Sequence, residues 1–210
     1  MRRWLFLSLL CLAGPAFGGA DTTDSGTDPA EPAPAPGSAK DAEYFRLSFE
    51  MHDLAKKGHW DGVERTYTAA LATGHPLSFD EHMFGAQAAL ARGDVAQARA
   101  RLVRAKALKD SDKQVIETLW NVDTSYAPVK LTAVPGSTLQ IAKRPFDPQQ
   151  AKAVGFATHQ IETNGTFDGY LPAGHYTLEQ TSFDVSVKEI GAPALKIDAR
   201  TPKERRKADR

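Results

Sequence analysis

The pattern of this chain changes abruptly near residue 121. From 41 to 121, Ala, Leu, Arg and Glu dominate and Pro appears once, at Pro76. From 122 to 199, Gly, Pro, Thr and alternating apolar residues replace them. An apolar stripe repeating every 3.6 residues suits a helix, and one repeating every two suits a strand. The switch therefore predicts an α+β protein in separate domains, helices first and an antiparallel β-sandwich second. With 26 Lys+Arg against 26 Asp+Glu, the formal net charge is zero. That argues against a nucleic-acid binder, whose basic footprint would show in the total. A single Cys excludes a disulfide scaffold and any multi-Cys zinc or iron–sulfur site.

Residues 1–20 carry Arg2 and Arg3, an apolar run from Trp4 to Ala13, then Pro15 and small residues. This is the pattern of a secretory signal peptide. Gly18 and Ala20 suit the −3 and −1 positions of a cut after Ala20; a cut after Gly18, with Ala16 at −3, is nearly as good. Cys11 lies inside the apolar run behind Leu10, where a lipid-attachment box carries a small residue, so it reads as apolar filler. Removal of the signal leaves no Cys, which fits an oxidising compartment, and no stretch long and apolar enough for a membrane span. The expectation is an exported, periplasmic protein. Residues 21–40 are Pro-rich without a large apolar side chain and read as a disordered tether. A spacer holding a domain off a surface and a leftover leader explain it equally well.

Five helices are expected, at 44–57, 61–73, 78–92, 94–109 and 112–120. In the first, Phe45, Phe49 and Leu54 fall near helical spacing, and Leu47 and Met51 make a neighbouring pair. Asp61 is the expected N-cap of the second, with Val63, Tyr67, Ala70 and Leu71 buried. Ser78 and Glu81 have the spacing of a capping box. On the fourth helix Arg99, Arg101, Arg104, Lys106 and Lys109 are expected outward, opposite Ala98, Leu102 and Ala105.

Gly58 and Gly93 lie 35 residues apart, each between two amphipathic helices, and similar runs follow them. A helix–turn–helix period of about 34 resembles the tetratricopeptide repeat. Gly58 and Gly93 match the turn glycine; Trp60 and Val95 match the apolar position after it. Ala98, with Val63 in the first unit, matches the small residue of the second helix. Tyr67 and Leu102, then Ala70 and Ala105, match the positions beyond, and Pro76 the terminal proline. The resemblance covers about 44–109 and implies a partner-binding groove lined by the first helix of each unit.

Between 122 and 199, short strands are expected at 129–134, 138–142, 154–161, 167–171, 175–178, 183–187 and 195–197. Pro135-Gly136 and Asn164-Gly165 supply turn signals. Gly165, Phe167, Leu171, Pro172, Gly174, Tyr176, Val185 and Val187 resemble the carboxypeptidase-regulatory-like and PEGA type of small sandwich. That resemblance implies a noncatalytic accessory domain at about 126–199. The organisation is thus 1–20 signal, 21–40 linker, 41–121 helices, 122–199 sandwich, and a basic disordered tail at 200–210.

No catalytic constellation is apparent. The pairs His52/His59 and His75/His82 are seven residues apart, but His59 and His75 sit at helix breaks, so no metal site is expected. The serines lack a Gly-x-Ser-x-Gly elbow, and there is no phosphate-binding loop. Neither an enzyme nor a cofactor is expected. The function that fits is a noncatalytic exported adaptor binding another envelope protein. Its groove candidates are Tyr44, Phe45, Leu47, Met51, His82 and Phe84. The alternative is a surface module binding cell-wall polymer or carbohydrate through the sandwich, with Phe156, Tyr170 and Tyr176 as candidates. The tail, with Arg200, Lys203, Arg205, Arg206, Lys207 and Arg210, is either an anionic-surface contact or a solvated terminus.

Overall fold

Capping chemistry divides the first half of the protein into helices. The structure, a computed structural model, describes residues 39–187 and 191–208. The expected signal peptide, Cys11 and the expected tether up to residue 38 lie outside the described residues. Helix α1 (Ala39–Lys56) begins inside the expected linker, and α2 (Trp60–Ala72), α3 (Phe79–Arg92), α4 (Val95–Leu108) and α5 (Lys113–Ser125) follow. Ser78 and Glu81 form the reciprocal capping box at the start of α3. Asp94 and Asp112 cap α4 and α5 by accepting from Gln97 N and Val115 N. Asp61 does not cap α2. Trp60 is the first helical residue, His59 holds the N-cap position without a side-chain bond, and Asp61 lies in the first turn.

Small residues let these helices approach closely. One cluster joins Leu47, Met51, Val63, Tyr67, Ala70, Leu77 and Ala88; a second joins Met83, Ala86, Val95, Leu102, Ala105, Val115 and Val122. The buried stripe of α1 is thus the Leu47–Met51 one. Phe45 and Phe49, a quarter-turn or more away, stand 67% and 79% exposed. Leu71, expected inside, is 41% exposed. It follows Ala70, which is completely buried, and points away. Among the described residues no helix is long and apolar enough to cross a membrane.

The second half contains two three-stranded sheets. Strands β1 (Tyr126–Thr132) and β2 (Leu139–Ile141) precede helix α6 (Pro148–Asn164). Then come β3 (Thr166–Pro172), β4 (Gly174–Leu178), β5 (Thr181–Val185) and β6 (Leu195–Asp198). The strand orders are β3-β1-β6 and β2-β4-β5. Leu131 lies opposite Phe167 in the antiparallel β1–β3 pair and opposite Ile197 in the parallel β1–β6 pair. The fold is therefore α+β, but it is not wholly antiparallel. Both sheets feed one core containing Val129, Leu131, Phe167, Leu171, Tyr176, Leu178 and Phe183. The Tyr176 hydroxyl donates to Pro172 O at 2.9 Å and fixes the corner between β3 and β4.

The largest departure from the sequence reading is at 154–161, a helix rather than a strand. Asp147 accepts from Gln149 N and Gln150 N, and Pro148 occupies the first turn. Gly165, at φ +70°, closes the last turn with its N–H on Ile161 O. Asn164-Gly165 is thus a helix end, not a hairpin turn. Ala157 and Ile161 enter the core of the sheets, while Ala153, one turn earlier, packs among Met83, Val95 and Leu102. A boundary at 121/122 also falls inside α5, and Tyr126 joins the helical cluster. In the expected disordered tail, Pro202–Ala208 forms helix α7, capped by Thr201 and Glu204.

Candidate functional site

A cleft of about 490 Å³ opens where the C-terminal part of the helical array meets the sheets. Its origin lies in the strand register. β6 runs beside β1 only from Val129, which pairs with Leu195. Tyr126–Pro128 therefore has no strand on that side among the described residues. Pro128 has no N–H, and Tyr126 N donates to Val122 O at the end of α5. Tyr126 and Pro128 thus offer no free backbone N–H to a guest strand there.

Arg99 on α4 and Asp123 on α5 form one wall. The guanidinium donates Nε to Oδ1 at 2.6 Å and Nη2 to Oδ2 at 3.3 Å. The bond to Asp123 raises the Arg99 pKa, so the group stays charged. Tyr126 and Tyr170 supply two phenols, the latter on β3 opposite Pro128. Burial, with Asp147 nearby, pushes the Tyr126 hydroxyl up to about 12, so it is a neutral donor at any physiological pH. Val185, Val187, Ala192, Pro193, Ala194 and Leu195 give the apolar lining. Lys196 lies at the rim, as does Asp184, which accepts from His175 Nδ1 at 2.9 Å.

The six groove candidates do not form one open surface. Leu47, Met51 and His82 are buried and hold the helices together. Tyr44 is half-buried, stacked 4.9 Å from His75, and donates its hydroxyl to Glu81 Oε2 at 3.0 Å. Phe84, also half-buried, meets the His52 ring edge-on at 4.8 Å. Only Phe45 among the six is well exposed. Of the wall-binding candidates, Tyr176 is core and Phe156 packs on Phe167, whereas Tyr170 lines the cleft. Arg101, read as an outward cation, is buried against Glu64.

His82 carries a testable consequence. Its Nδ1 lies 3.0 Å from the Tyr67 hydroxyl. Burial first, then the Arg104 and Arg101 charges, lower its pKa from 6.5, against the opposing pull of Glu81. The folded protein therefore binds this proton less readily than the unfolded chain. Its contribution to stability is complete above pH 6.5 and declines as pH falls below that value. The slope from this one group is at most about 1.4 kcal/mol per pH unit. Denaturant midpoints measured between pH 7.5 and 5 should fall less steeply for His82→Gln than for the parent; parallel curves would refute the assignment.

Arg99, Asp123, Tyr126 and Lys196 were not singled out as site residues by sequence reasoning. Arg99 was visible only as one of several basic residues, and its partner is 24 residues away. Among the described residues no group of three or more His, Cys, Asp or Glu could hold a metal ion. No family model, curated protein or solved structure matches this chain.

Proposed function

We propose that this protein is a noncatalytic adaptor of the cell envelope, exported by residues 1–20 and held on the Pro-rich tether. In this reading the helices are a short tetratricopeptide-like array. The two sheets are a small carboxypeptidase-regulatory-like sandwich carrying α6 as an insertion. The observation that supports the reading is the cleft itself: a hollow lined by apolar residues, two phenols and one ion pair, set between helices and sheets. Such hollows, apolar with a few placed polar groups, are the usual form of binding sites. The proposed contact is thus Arg99, Tyr126 and Tyr170 rather than the first-helix groove.

A photo-crosslinking residue at Tyr170 or Ala192, in the native cell, is expected to give discrete protein adducts. The same residue at Phe49 should give none. Adducts from Phe49 alone, or from no position, would overturn the adaptor reading. N-terminal sequencing of the recovered protein tests the export claim through a cut after Ala20 or Gly18. The carbohydrate reading retains one favourable observation, Tyr170 in the cleft, because phenol rings stack on sugar faces. Co-sedimentation with isolated peptidoglycan, abolished by Tyr170→Ala, would establish that reading instead.

A further inference from the structure

The side chains around the cleft are unbalanced in hydrogen-bonding sense. Among the described residues its two carboxylates are engaged, Asp123 by Arg99 and Asp184 by His175. The donors are less so. Tyr126 and Tyr170 line the cleft, and their hydroxyls make no hydrogen bond to a described residue. The Arg99 guanidinium spends Nε and Nη2 on Asp123, which leaves Nη1 available. Lys196 enters no ion pair with a described residue. Two phenols, a guanidinium N–H and an ammonium therefore border one hollow whose carboxylates, among the described residues, are both engaged.

Given the reading of this cleft as the binding site, we infer that its ligand presents a carboxylate. A carboxylate offers about four acceptor positions on two oxygens, which suits a set of phenol, guanidinium and ammonium donors. The apolar wall from Ala192 to Leu195 leaves room beside it for methyl or methylene groups. Two sources supply that chemistry in an envelope: a peptide carboxylate and a sugar acid. Neutral saccharide faces would leave Lys196 and Arg99 Nη1 without a matched partner.

The test is a titration of the isotope-labelled full chain, followed by amide NMR shifts. The probes are N-acetylalanine and N-acetylmuramic acid, each beside a neutral counterpart, N-acetylalaninamide and N-acetylglucosamine. At least one acid should shift the resonances of Arg99, Tyr126, Tyr170 and Lys196, and bind about tenfold or more tightly than its counterpart. Which acid does so identifies the source. Lys196→Ala, at an exposed position, and Tyr170→Phe should each weaken binding about three- to tenfold without altering the rest of the spectrum. Equal binding of acid and counterpart would overturn the carboxylate inference and leave the cleft reading standing. Failure of every probe to perturb the cleft at tens of millimolar would also overturn the inference; the crosslinks from Tyr170 then decide the cleft reading separately.

Discussion

Gly93→Ala is expected to lower the unfolding free energy by about 3–5 kcal/mol, a range reached only when a buried arrangement is broken. Gly93 ends α3 at φ +86°, where a side chain strains the backbone. Strain alone costs roughly 1 kcal/mol. The larger share comes from α6. A Cβ at Gly93 would press on the Lys152 carbonyl oxygen, lie 2.6 Å from its carbon and 2.9 Å from Ala153 N. These are backbone atoms of a helix and cannot rotate aside. Relief requires α6 to retreat, which draws Ala153 out of the cluster with Met83, Val95 and Leu102. Gly58 is the internal control: its φ is +70°, but nothing lies within 4 Å of its Cβ position. Gly58→Ala should therefore cost only the conformational part, and the difference in urea midpoint between the variants reads out the α3–α6 contact. Equal midpoints would mean that this contact does not stabilise the protein.

That contact is also what the sequence concealed. The helical half was legible because its signals are local. Gly58 and Gly93 mark turns, Ser78-x-x-Glu81 is a capping box, and Ala98, Leu102 and Ala105 repeat on one face. Strands 3 to 6 were legible for the same reason, through Leu171-Pro172, Tyr176 and the alternation of Phe183 and Val185. Residues 154–161 were not, because two periods coexist there. Val154 and Phe156 read as alternation, while Ala153, Ala157 and Ile161 make a four-residue stripe. Ala is a strong helix former, and Asp147 with Pro148 is a helix start; these outweigh the alternation. The error carried over to Asn164-Gly165, whose positive φ serves a helix end as readily as a hairpin. The cleft was beyond reach for a different reason. It exists because β6 stops short of Tyr126 and because Arg99 finds Asp123 across two helices, and neither fact has a local signature. On α1 the sequence offered two stripes, Phe45 with Phe49 and Leu47 with Met51, and only the second is buried.

Arg101→Ala is expected to have an effect of the same size, about 3–5 kcal/mol, by leaving a charge without its partner in a buried place. Arg101 is 5% exposed. Its Nη1 donates to Glu64 Oε2 at 2.5 Å and to Gly85 O at 2.7 Å, and Nη2 donates to Glu64 Oε1 at 2.7 Å. Its guanidinium also lies over the Tyr67 ring, 4.2 Å from the centroid. One planar group thus ties α2, α3 and α4, and a Lys in its place cannot reproduce the fork. Arg101→Lys should recover only part of the loss. Burial pushes the Glu64 carboxyl up, but Arg101, with Arg92, outweighs it and holds the group below 4.5. In the parent protein Glu64 therefore adds stability above pH 4.5, and that stability is lost as pH falls through the depressed folded value. Without Arg101 the burial contribution dominates, so acid should relieve the variant rather than weaken it at this site. The gap between Arg101→Ala and the parent in denaturant midpoint should then narrow from pH 7 to pH 4. A double replacement, Glu64→Leu with Arg101→Met, removes both charges and should regain most of the stability, since apolar packing can substitute for a buried ion pair. A gap that stays constant with pH, together with a double variant no better than the single one, would place the value of Arg101 in its packing on Tyr67 rather than in its charge.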